Sequence, residues 1–309
     1  MIVELLTLLS GIALLAYCSR RGVDHAVKLA SAFGVPTLVI GLVVVSIGTD
    51  LPEIINSILA SAMGHGDINV GDSLGSCLVQ ISLILGLVGI VGGNFKVDRA
   101  EILEIGRCEL MALLLAIFVS KTSYISRMDA ALLIIGYALL VIAMRNYLLR
   151  NNQTGRVRTE KGTYAHLVML FIYMAGVAVG SYMVINSIIS LSKELLIPEY
   201  IISFFVLAIG TSLPELVVDI TSVRRKEYAL AIGDIIGSNV IDATLSIGIG
   251  PLIYPIAISG ELATVTGVWT FIVSLIVIIA IGFMRKFNRK MGVLFITLYL
   301  LSYVVLFVA

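Results

Sequence analysis

The sequence predicts an all-α membrane protein: ten transmembrane helices arranged as two inverted five-helix repeats, with helices broken at two Leu-Pro-Glu motifs. Three observations predict it. Of the 309 residues, 59% are apolar and 13% charged, whereas soluble domains carry about 45–50% and about 25%. The apolar residues gather into runs long enough to cross a bilayer, about 20 residues each. Two polar motif pairs inside those runs recur at one fixed offset.

By length and apolarity the spans fall at 2–19, 31–63, 70–92, 102–120, 128–148, 164–191, 199–223, 228–250, 264–284 and 291–308. Three of them exceed one crossing, which predicts tilt or a break. The first run lacks a positively charged start and a small-residue cleavage site, so it is expected to be a retained helix rather than a signal peptide. Lys and Arg favour the cytoplasmic side. With both termini outside, 18 of the 21 Lys and Arg fall in or beside inner loops, and three, Lys121, Arg127 and Lys193, on the outer side. Adding or removing one span would scramble this sorting. The polar stretch 151–163 reads as a cytoplasmic linker between a first repeat, 1–150, and a second, 164–309. Together they are expected to form one transmembrane domain.

Composition excludes other classes. Cys18, Cys77 and Cys108 are odd in number and far apart, which argues against a disulfide scaffold. A net charge of +1 without a basic tract argues against nucleic-acid binding.

Gly48-Thr49-Asp50-Leu51-Pro52-Glu53 returns as Gly210-Thr211-Ser212-Leu213-Pro214-Glu215, 162 residues later. Gly71-Asp72-Ser73-Leu74-Gly75-Ser76 returns as Gly233-Asp234-Ile235-Ile236-Gly237-Ser238 at the same offset of 162. One offset for two motifs implies duplication of the whole segment. Five spans per copy is an odd number, so the copies face opposite ways, an arrangement recurrent in secondary transporters.

Seven carboxylates stand out inside the apolar segments that carry the motifs: Asp50, Glu53, Asp72, Glu215, Asp219, Asp234 and Asp242. No Lys or Arg lies in those stretches to pair with them. A charge at the bilayer centre costs at least about 2.5–3.5 kcal/mol, so such groups are protonated, face water or bind cations. Pro52 and Pro214 interrupt their helices just before Glu53 and Glu215. Interruption frees backbone carbonyls near Thr49 and Thr211, which is tolerable at membrane depth where they line a site. Carbonyls, hydroxyls, carboxylates and an amide make an all-oxygen set, suited to hard cations such as Ca²⁺. None of His25, His65 and His166 lies in a motif, which disfavours zinc or copper. The Gly-Asp-x-x-Gly-Ser elements permit close helix contact. They also turn Ser76 with Gln80, and Ser238 with Asp242, to one helix face each.

These segments, GLVVVSIGTDLPEIINSILAS with GDSLGSCLVQISLILGL and LAIGTSLPELVVDITSVRR with GDIIGSNVIDATLSIGIG, resemble the two α-repeats of the cation/Ca²⁺ exchanger superfamily. They are closest to those of prokaryotic sodium/calcium exchangers. The resemblance implies a multi-pass cell-membrane antiporter that exchanges Ca²⁺ for Na⁺ by alternating access, its first and sixth helices sliding over the rest. It implies Glu53 and Glu215 as central Ca²⁺ ligands with carbonyls at Thr49 and Thr211. Ser76, Gln80, Ala208 (through its carbonyl), Ser212, Ser238 and Asp242 would serve flanking Na⁺ sites, with Asp50 added for Na⁺ or H⁺. No cofactor and no enzymatic activity are expected. The partners are inorganic cations and the lipid bilayer, and the chain is expected to work as a monomer.

The sequence departs from the family pattern at Asp50, where Ser is usual, and at Gln80, where Asn is usual. Asp72 and Asp234 stand where Asn is common, and Asp219 is an additional carboxylate. These changes keep a Ca²⁺/H⁺ exchanger open as the alternative, followed by exchange of Mg²⁺ or Mn²⁺. An intramembrane aspartyl protease is disfavoured because neither Gly-Asp context matches its motifs. A passive channel is disfavoured by the internal repeat.

Overall fold

The computed structural model describes residues 2–32, 46–96, 99–151, 163–226, 228–284 and 286–308. They are almost entirely helical. The first half comprises α1 (Ile2–Ala32), the pair α2 (Ser46–Thr49) and α3 (Leu51–Met63), and α4 (Gly66–Leu78). A π turn (Val79–Ile84) carries α4 into α5 (Leu85–Gly92), and α6 (Arg99–Ser120) and α7 (Arg127–Asn151) follow. The second half keeps this order. It begins with α8 (Thr163–Leu195) and α9 (Glu199–Ile202), then a π turn (Ser203–Leu207), α10 (Ala208–Thr211) and α11 (Leu213–Arg224). Next come α12 (Tyr228–Ile241), a π turn (Asp242–Ser246) and α13 (Ile247–Ile253), then α14 (Gly260–Met284) and α15 (Arg289–Val308).

Among the described residues six helices are long and apolar enough to cross a membrane, and the pair Glu199–Thr211 and Leu213–Arg224, bent by 42°, makes up to seven. Part of the predicted span 31–63, residues 33–45, and most of the predicted linker, residues 152–162, lie outside the described residues. Helix α1 runs on to Ala32, past the predicted span end at 19, because no proline interrupts residues 20–32.

Both Leu-Pro-Glu breaks follow the same local rule. A proline cannot donate to the carbonyl four residues back, and its fixed φ suits the first turn of a new helix. Asp50 leaves helical geometry at φ −77° and ψ 6°, and Ser212 at φ −80° and ψ 9°. Each then restarts a helix: Ile54 N–H donates to the Asp50 carbonyl at 3.0 Å and Leu216 N–H to the Ser212 carbonyl at 3.1 Å. Gly71 and Gly75 let α4 lie against the chain around Tyr200–Ala208, since a Cβ at Gly75 would strike the Phe204 carbonyl.

The surface is apolar as well as the core, and the interior also encloses many polar groups. Large apolar side chains face outward, among them Phe118, Phe171 and Phe283. The interior holds Asp, Glu, Asn, Gln, Ser and Thr, while no Lys, Arg or His is buried among the described residues. Such a surface fits lipid, and such an interior needs internal partners or cations. Helices α1 and α8 pack chiefly along each other, around Leu8, Leu15, Val177 and Val184, in an apolar cluster separate from the main core.

The turns are tied in two groups. Strand β1 (Phe95–Lys96) pairs antiparallel with β4 (Lys286–Phe287), and Phe95 stacks on Tyr228 at 4.2 Å. His25 and His166 approach to 3.0 Å between ring nitrogens, and burial, then the neighbouring His166, holds the His25 imidazole below its ordinary value. Elsewhere β2 (Tyr124–Ile125) pairs with β3 (Ile256–Ala257). His65 Nδ1 meets Glu199 Oε2 at 2.8 Å, and the Ser259 hydroxyl donates to Asp67 at 2.6 Å.

Candidate functional site

The two breaks converge. Asp50 lies at the end of α2, Glu53 in the first turn of α3 and Glu215 in the first turn of α11. One carboxylate oxygen from each falls within 4.8 Å of the others, and all three residues are buried. Both Asp50 oxygens, Glu53 Oε2 and both Glu215 oxygens accept no hydrogen bond. The hydroxyls of Ser212 and Ser238 and the Gln80 Oε1 are likewise buried without a partner. A buried ionised carboxylate without donors or a cation is strongly unfavourable. A set of anionic and neutral oxygens converging on one point matches what a hard cation takes.

Around these oxygens runs a hydrogen-bonded frame that joins the halves. The Ser76 hydroxyl donates to Glu53 Oε1 at 3.4 Å and lies 3.4 Å from the Thr211 hydroxyl. Thr211 donates to Asp72 Oδ1 at 3.0 Å, and the Asn56 amide donates to Asp72 Oδ2 at 2.7 Å. The Ala208 carbonyl accepts the Ser212 N–H at 3.2 Å. At the π turns, Gln80 Nε2 donates to Asp242 Oδ2 at 3.1 Å, and the Ser246 hydroxyl donates to Asp242 Oδ1 at 3.3 Å. A π turn inserts an extra residue and is frequent at functional sites. Here Gln80 and Asp242 each lie in one.

All eleven residues singled out from the sequence, Thr49, Asp50, Glu53, Ser76, Gln80, Ala208, Thr211, Ser212, Glu215, Ser238 and Asp242, are buried. Hydrogen bonds join Ser76 to Glu53 and Thr211, and Gln80 to Asp242, while Asp50, Glu53 and Glu215 are brought together by proximity of one oxygen each. Asp72 takes part through Thr211, as a clamp on a site residue of the other half. Sequence reasoning missed Asn56, whose signal was its place three residues after Glu53 on the same helix face. It also missed Glu109 on α6, fully buried and bonded to Asn239 at 2.8 Å. Glu109 lacked the signal of duplication, since 162 residues on stands Phe271.

Relatives decide the family. The profile described as sodium/calcium exchanger protein matches residues 3–145 and again 165–308. The chain belongs to the sodium/calcium exchanger family. This is a family of transporters rather than enzymes, and several of its members' names and structures speak of ion exchange. An uncharacterised membrane protein of Methanocaldococcus jannaschii is 31% identical over 95% of both chains. The sodium/calcium exchanger MaX1 of Methanosarcina acetivorans is 27% identical over 99% of both. Among solved structures, the sodium-calcium exchanger NCX_Mj soaked with 100 mM Na⁺ and 10 mM Sr²⁺ matches with a TM-score of 0.65 and 30% identity, over 98% of both chains. As a family member, the chain is a multi-pass membrane protein that carries inorganic cations as bound substrate.

Proposed function

We propose that this chain is a secondary active antiporter that exchanges Ca²⁺ for Na⁺ across the cell membrane by alternating access. The observation that carries this reading is the meeting of Asp50, Glu53 and Glu215 oxygens within 4.8 Å, buried and largely without donors. Ca²⁺ is assigned to Glu53 and Glu215 with the Thr49 and Thr211 carbonyls. Na⁺ is assigned to Ser76, Gln80, Ala208, Ser212, Ser238 and Asp242. Asp50 is the residue that admits H⁺. Three carboxylates against one divalent ion leave a net negative charge, which a proton on Asp50 offsets. Like charges so placed titrate as a unit, so protons compete with Ca²⁺ and transport falls as pH drops.

The same reading takes the chain as ten spans in two inverted repeats, 1–150 and 164–309, linked at 151–163, with both termini outside and the monomer as working unit. The contacts between turns support it. Each of the pairs β1–β4, Phe95–Tyr228 and His25–His166 joins segments at inner span ends under that topology. Each of β2–β3, His65–Glu199 and Asp67–Ser259 joins outer ones. The long apolar contact of α1 with α8, which meets α3, α4 and α9 in one cluster apart from the main core, suits a pair of helices that slides over the rest.

The runner-up, Ca²⁺/H⁺ exchange, draws on the same third carboxylate, Asp50. One experiment separates the two: ⁴⁵Ca²⁺ uptake into proteoliposomes driven in turn by an outward Na⁺ gradient and an outward H⁺ gradient. Uptake with Na⁺ supports the proposal. Uptake with H⁺ and none with Na⁺ overturns it in favour of the runner-up.

A further inference from the structure

Glu109 is a buried carboxylate that the proposed ion cycle does not use. It sits on α6 with no exposed surface, against α12 and α14. Its Oε1 accepts the Asn239 amide at 2.8 Å, and Ser274 of α14 faces the same carboxyl. Its Oε2 accepts no hydrogen bond, and the Ser274 hydroxyl and Asn239 Oδ1 are buried without partners.

An ionised carboxylate in this place has one neutral amide and one hydroxyl, that of Ser274, to set against the cost of burial. The neutral acid fits better. A protonated carboxyl offers one O–H donor and keeps a carbonyl acceptor, which are what Ser274 Oγ and the Asn239 amide can use. We infer that Glu109 is a proton-binding site separate from the ion cluster, its O–H donating to Ser274 while its carbonyl oxygen holds Asn239.

Its position gives that proton leverage. Asn239 follows Ser238 and precedes Asp242 by three residues, and its carbonyl lies 3.5 Å from the Cys77 thiol, next to Ser76. Losing the proton leaves a negative charge in a dry site and removes the bond to Ser274. The proton thereby couples the α6–α14 contact to the charge facing Asn239 of α12, between Ser238 and Asp242.

The surrounding charges are few. Helix α14 carries only Glu261, in its first turn. Helix α7 brings Arg127, Asp129 and Arg145, with Tyr137 partly buried, and β2 brings Tyr124. Helix α12 and its π turn bring Tyr228, Asp234 and Asp242, and Cys108 adjoins Glu109 on α6.

The transport arm of the test rests on the exchange proposed above, and the stability arm does not. Glu109→Gln keeps an acceptor for Asn239 and supplies a permanent donor for Ser274. In detergent, wild-type thermal stability should fall more steeply than that of E109Q as pH rises from 6 to 9, because the native state holds a proton the unfolded chain has released. In proteoliposomes, wild-type uptake should decline on the alkaline side, approaching about tenfold per pH unit beyond the midpoint, while E109Q stays flat there and keeps its acid decline. Ser274→Ala, a milder change, should move the alkaline decline to lower pH. Parallel stability curves for wild type and E109Q overturn the site. An unchanged alkaline decline in both E109Q and S274A overturns its coupling to transport.

Discussion

The two halves share a backbone and differ in charge. At the break, Asp50 and Ser212 adopt φ and ψ values within about 3° of each other, yet one side chain is an acid and the other a hydroxyl. At the π turns the imbalance is reversed, with neutral Gln80 in the first half and Asp242 in the second. Behind the break, Asp72 of the first half is held by Asn56 and Thr211. Asp234 of the second half instead has the buried carboxyl of Asp219 as a neighbour. The geometry is set by Gly-Thr-x-Leu-Pro-Glu, whatever occupies x. Asp and Ser at x are therefore accommodated alike by the backbone.

The largest expected effect comes from the positions where the halves agree. Glu53→Gln or Glu215→Gln should each reduce Ca²⁺ uptake at least about tenfold, about 1.4 kcal/mol, because a divalent cation needs charge as well as oxygens. Normal uptake by folded protein with either change would end the assignment. Making the halves alike is the next test. Asp50→Ser should flatten the loss of uptake at low pH while Na⁺-driven uptake persists, and Ser212→Asp should steepen it. Uptake measured from pH 5 to 8 reads both, and an unchanged slope in Asp50→Ser removes the proton from Asp50. The smallest effect concerns the frame. Asn56→Ala strips the donor from Asp72 Oδ2 and should cost about 1–3 kcal/mol of stability. Thr211, still bonded to Asp72 Oδ1, keeps uptake within a fewfold of wild type. A melting temperature unchanged by N56A would show that the Asn56 bond adds nothing.

The sequence made the breaks and their acids legible because proline and glutamate act locally and the motif occurs twice. The same duplication marked Gln80 and Asp242 as equivalents. It was silent on the frame. Thr211 reaches Asp72 across 139 positions, and no local pattern encodes a bond between halves. Glu109 escaped for the opposite reason: its partners Asn239 and Ser274 lie on other helices, and Phe271 occupies its place in the second copy. The π turns were invisible as well, since an inserted residue leaves an apolar run looking continuous. Helix α1 outlasts its span, 2–19, because charge at residues 20–24 marks the end of lipid and not of a helix.

Gln80 touches Asp242, and Cys77 touches the Asn239 carbonyl, each pair separated by the repeat offset of 162. Where two copies of a fold meet about a pseudo-axis, the residues nearest it confront their own counterparts. Two identical subunits would have to place like against like there, amide on amide or acid on acid. Fusion into a single gene lifts that constraint, because each copy mutates alone. The donor–acceptor pair of Gln80 and Asp242 is an arrangement that two identical subunits about an exact twofold axis could not hold.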